Sequence, residues 1–109
     1  MASQTEVRYF PVATVADVAP GEAFVAEVEG VRVALCNVDG RFYAIEDACT
    51  HDGSSFDMTF VEGVEIFCPR HGAVFDVTTG AVLSPPAEVP VQTFPVRLRG
   101  ETIEVGLEV

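Results

Sequence analysis

Two cysteines and two histidines stand close enough in sequence to hold one metal centre. Cys49-Thr50-His51 is followed by sixteen residues and then by Cys68-Pro69-Arg70-His71. The chain has no other histidines, and each of these lies within three residues of a cysteine. Each arm offers one thiolate and one imidazole, a set that suits soft or borderline metals. Zinc fingers usually pair like with like, two cysteines on one arm and two histidines on the other. The mixed arms fit a two-metal cluster gripped between two loops, each loop giving one sulfur and one nitrogen. On the residues alone a structural zinc stays open as the alternative. The third cysteine, Cys36, lies in an apolar stretch away from the motif and reads as a small buried hydrophobe.

The elements that must position these residues read as strands. Val dominates the composition, with Phe, Ile and Thr in support, and Gly and Pro punctuate often. Residues 6–13, 23–28, 31–38 and 41–45 are strand-like. Asp39-Gly40 is a hairpin signal between the last two. Residues 14–22 hold Pro20-Gly21 and predict a turn with a short helical piece. From residue 46 to 65 the pattern dissolves into polar and small residues. Short strands then follow at 65–67, 73–77 and 81–83, before Ser84-Pro85-Pro86 breaks any ladder. Residues 94–98 and 102–107 predict a closing hairpin. No stretch predicts a helix of normal length.

The expected class is all-β: an antiparallel sandwich or barrel, residues 1–109 forming one domain. A small cluster-binding lobe is expected over about 46–83, because a long polar loop in a compact chain is usually functional. That lobe holds both histidines and two of the three cysteines.

Composition narrows the function. Seventeen acidic residues against six basic ones exclude a phosphate-binding face, so nucleic acid is not an expected partner. An acidic surface can steer the chain toward a basic protein. The apolar runs are too short to cross a membrane, and the N-terminus has no secretory pattern, so the expected compartment is the cytoplasm. An odd cysteine count argues against a disulfide framework. A facial-triad iron site needs two histidines and a carboxylate, and both histidines here stand in the Cys/His arms, so the chain is not expected to be itself an oxygenase. It lacks a Gly-rich dinucleotide fingerprint and is not expected to be its own reductase.

The pattern C-x-H…C-x-x-H, together with His71-Gly72-Ala73-Val74-Phe75-Asp76-Val77-Thr78-Thr79-Gly80, resembles the Rieske family. The motif spans 23 residues, while the strand pattern and length agree over nearly the whole chain. The resemblance implies a [2Fe–2S] cluster with Cys49 and Cys68 on the inner iron and His51 and His71 on the outer one. It also implies that Ser84-Pro85-Pro86 corresponds to the proline loop that shields the cluster.

Respiratory members carry an extra cysteine on each ligand loop, and the two form a disulfide. Here those regions hold Ser54 and Arg70. High-potential members place hydroxyls where this chain has Ala73 and Phe75. Fewer hydrogen bonds to sulfur stabilise the reduced cluster less and lower its potential. Glu46, Asp47, Asp52, Asp57, Glu62 and Glu65 add negative charge in the same direction. A disulfide-free chain of this kind resembles the ferredoxin component of bacterial multicomponent dioxygenases. That resemblance implies a monomeric one-electron carrier with no substrate of its own, working between a flavoprotein reductase and a terminal non-haem iron oxygenase. A small subunit of another redox enzyme, such as a nitrite reductase, is the alternative.

Overall fold

A computed structural model describes residues 6–50, 52–57, 59–70 and 72–108. Eleven strands form three antiparallel sheets, and the expected all-β class holds among the described residues. The first sheet joins β1 (Val7–Thr14), β11 (Thr102–Glu108) and β10 (Val96–Arg99) in that spatial order. The second has the order β2 (Ala23–Val28), β3 (Val31–Val38), β4 (Arg41–Glu46) and β9 (Thr93–Phe94). The third is a meander of short strands: β5 (Val61–Glu62), β6 (Glu65–Phe67), β7 (Val74–Asp76) and β8 (Val82–Ser84). A 3₁₀ turn at Val15–Asp17 supplies the short helical piece expected after β1.

Strand β3 explains how two cores share one wall. Successive side chains of a strand point to opposite faces. Val33 and Leu35 therefore enter one core, with Ala44, Ile103, Val105 and Leu107. Ala34 and Cys36 enter the other, with Ile45, Phe56, Ile66 and Phe75. Both faces are buried from Val33 to Asn37, so Val33–Cys36 reads as an unbroken apolar run and not as an alternation. The residues facing the second core are the small ones, which lets the third sheet and its loops approach closely.

Two details departed from the sequence pattern. Residues 94–98 are not one strand. Thr93–Phe94 pairs with β4 and Val96–Arg99 pairs with β11, with Pro95 between them. Proline lacks the N–H that a continuous ladder needs, so the chain changes sheets there. The patternless stretch after residue 46 also ends in a strand, β5, which pairs with β6. Phe60 just before it bridges to Glu22, tying the third sheet to the start of β2.

Candidate metal centre

Each ligand loop is a tight turn closed by the same pair of backbone hydrogen bonds. In the first, Cys49 N–H donates to the Ser54 carbonyl (2.7 Å) and Gly53 N–H donates to the Cys49 carbonyl (2.6 Å). In the second, Cys68 N–H donates to the Ala73 carbonyl (2.7 Å) and Gly72 N–H donates to the Cys68 carbonyl (3.0 Å). Gly53 and Gly72 both sit at φ +78°, where L side chains are strained. A Cβ at either glycine would meet no protein atom within 4 Å, so the backbone angle and not space demands the glycine. The shared signal was present in the sequence as a cysteine followed four residues later by a glycine, twice.

The two loops bring their cysteines together. The Sγ atoms of Cys49 and Cys68 and a carboxylate oxygen of Asp52 all lie within 4.8 Å of one another. Both cysteines are buried, and no disulfide joins them. Ala73, Phe56, Phe75 and Ile66 share their core. His51 and His71 lie outside the described residues. In sequence Asp52 is one acid among six around the first loop, whereas in the fold its carboxylate stands beside the thiols.

Paired thiols held close without bonding to each other are a donor set for a thiophilic metal. The apolar floor limits access of water from one side. The arrangement therefore fits a cysteine-ligated iron–sulfur cluster. Cys36 takes no part in the trio. It is fully buried on β3, and desolvation pushes its thiol up to about 12, so it stays protonated and inert at neutral pH.

The proline segment is attached to the first ligand loop. The Thr50 hydroxyl donates to the Val89 carbonyl at 2.6 Å, across 39 residues of sequence. Ala87 and Val91 anchor the same segment in the core beneath the cysteines. The acidic surface also differs from its sequence reading. Asp47 is fully buried and paired with Arg32 at 2.8 Å, so it adds no exposed charge. Asp52, Asp57, Glu62 and Glu65 are exposed, and so is Arg70.

Comparisons with known proteins give the family and the fold relatives. Residues 8–95 match the family described as Rieske [2Fe-2S] domain. The ferredoxin component of the naphthalene 1,2-dioxygenase system of Pseudomonas aeruginosa is 36% identical over 91 residues, covering 84% of this chain and 88% of the relative. The ferredoxin of carbazole 1,9a-dioxygenase from Nocardioides aromaticivorans IC177 superposes with a TM-score of 0.84 at 33% identity, covering 89% of this chain and 95% of that one. A chain from a complex of reduced oxygenase and oxidized ferredoxin in carbazole 1,9a-dioxygenase superposes with a TM-score of 0.83 at 34% identity, covering 89% and 91%.

Proposed function

The chain belongs to the Rieske [2Fe–2S] domain family, and on that premise we propose that Cys49, His51, Cys68 and His71 hold one [2Fe–2S] cluster in a one-electron carrier that passes electrons from a flavoprotein reductase to a terminal non-haem iron oxygenase. The observation that carries the ligand reading is the convergence of two buried, unbridged thiols from two matching loops. When bound, the cluster supplies a one-electron redox couple. The chain's own residues fix the thiols, floor the site with apolar side chains, and leave Asp52, Gly53, Pro69, Arg70 and Gly72 exposed around it. The oxygenase partner is supported by the relatives, which are ferredoxin components of dioxygenase systems, and by the oxygenase–ferredoxin complex.

The reading treats residues 1–109 as one such domain, acting as a monomer, with the cluster-binding lobe over about 46–83. The separate sheet β5–β8 supports that division. Among the described residues no helix is long and apolar enough to cross a membrane. The cytoplasm is the proposed compartment, since thiols meant for iron must stay reduced.

Iron and acid-labile sulfide analysis with EPR of the reduced protein tests the reading. The expected result is about two irons and two sulfides per chain and a rhombic signal of Rieske type. Ala73 and Phe75 bring no hydroxyls, and acidic groups stand nearby, so the potential is expected at about −150 mV. One zinc per chain without sulfide would overturn the ligand reading.

The exposed acids of the lobe give a second expectation. With Arg70 as the one cation between residues 46 and 83, this surface fits a basic partner face. Reduction by the reductase is expected to slow about tenfold from low salt to ~0.5 M ionic strength. A rate independent of salt would remove electrostatic steering from the account.

A further inference from the structure

Asp47 is the one fully buried carboxylate among the described residues, and it sits two positions before Cys49. Burying a carboxylate is unfavourable unless an opposite charge and hydrogen bonds offset the lost hydration, and removing one partner leaves that loss uncompensated. Here three donors converge on it. Phe56 N–H donates to Oδ1 at 2.6 Å. The Ser55 hydroxyl and Arg32 Nη2 donate to Oδ2 at 2.7 and 2.8 Å. Asp47 N–H in turn donates to the Arg32 carbonyl at 3.0 Å.

We propose that Asp47 is a positioning residue for the metal centre: its carboxylate closes a hydrogen-bonded ring with Ser55 and Phe56 and thereby sets where Cys49 stands relative to Cys68. The inference rests on the reading that these cysteines hold the cluster. Both ends of the ring meet at one side chain, and Cys49 lies inside it. The far end, Phe56, is fully buried and packs edge-on against Phe75, with centroids 5.8 Å apart and an interplanar angle of 89°. Phe75 lies two residues after Ala73, which closes the second ligand loop, on β7. The carboxylate thus fixes Phe56, and the aromatic pair fixes one loop against the other. Arg32 links the ring to β3, the wall shared by both cores. Its side chain is 55% exposed, so the cation remains hydrated while its counter-charge is buried.

A neutral amide could still accept from Phe56 N–H. It could not balance Arg32, and its NH₂ would face the guanidinium. Asp47→Asn therefore separates charge from shape, whereas Ser55→Ala removes one donor and keeps the charge. The test uses the cluster-loaded protein, with wild type, D47N and S55A compared side by side. Cluster loss under an iron chelator is expected to quicken about tenfold in D47N, as for the loss of other groups that orient metal ligands. Its EPR g values should shift, because the ligand frame has moved. Its midpoint potential should rise, because a negative charge near the site is gone while Arg32 stays. S55A is expected to lose its cluster a few times faster, with shifted g values and an unmoved potential.

Wild-type loss rates and g values in D47N would overturn the proposal. If D47N does not accumulate as folded protein, wild-type behaviour of S55A overturns it instead. A wild-type protein without iron and sulfide would bring down the ligand reading and this inference with it. A wild type that holds them beside an indifferent D47N sinks the inference alone.

Discussion

Serine in place of Cys49 or Cys68 is expected to strip the chain of iron and sulfide. A thiolate binds iron because it is soft and loses its proton near neutral pH. A serine hydroxyl does neither, and among the described residues no third thiol joins the site. Cys36, the remaining cysteine, is in the same core but outside the group of donor atoms gathered by the two loops. Each variant is therefore expected to show background iron and sulfide and no Rieske-type signal. Cys36→Ala is the matched control. It removes a buried sulfur whose burial keeps it protonated, and it should retain about two irons and two sulfides per chain. Iron and sulfide analysis of the three variants decides the matter. Retention of the cluster in Cys49→Ser or Cys68→Ser would mean that the ligands have been misassigned.

The largest expected loss of stability is at Gly80. It closes the turn between β7 and β8 at φ +83°. Its N–H donates to the Asp76 carbonyl at 2.6 Å, and its carbonyl accepts from Val91 N–H at 2.9 Å. The returning segment lies so close that a Cβ here would meet the Val91 carbonyl oxygen at 2.1 Å and Thr93 Cγ2 at 3.2 Å. Backbone cannot swing aside as a side-chain tip can, and Val91 is itself buried in the core. Gly80→Ala combines this clash with left-handed strain and is expected to cost about 4 kcal/mol or more. At roughly 4–8 °C per kcal/mol for a chain of this size, Tm should fall by about 20 °C.

Gly100→Ala isolates the two contributions. Gly100 also has positive φ, +62°, but a Cβ there meets nothing within 4 Å. Only the backbone strain remains, about 1–2 kcal/mol. Equal melting of the two variants would show that the contact with Val91 is not what makes Gly80 necessary. The same segment carries the Val89 carbonyl that receives the Thr50 hydroxyl. Gly80→Ala should therefore also release iron faster, since the segment anchored on the first ligand loop would be displaced.

Several features were legible because they depend on short-range chemistry. The two Cys/His arms declare their donor types in the order of the residues. The strands β2, β3 and β4 follow from β-branched runs and from Asp39-Gly40, which turns the chain between Val38 and Arg41 as expected. Pro85-Pro86 ends β8 at Ser84. In each case a few neighbouring residues limit the backbone enough to decide the outcome.

What tertiary structure decided involves partners far apart in the chain. Asp47 looked like one more surface acid among six. Only folding sets it against Arg32, fifteen residues away, and removes it from water. Gly80 looked like an ordinary turn residue until the segment at Val91 was laid across it. Pro95 marked a break, but only the pairing of Phe94 with Ala44 and of Val96 with Val105 turned that break into a change of sheet. Sequence alone determined which atoms could bind iron, because ligand chemistry belongs to the residue. The fold determined where those atoms stand and which charges remain in water, because burial and distance arise only when remote segments pack together.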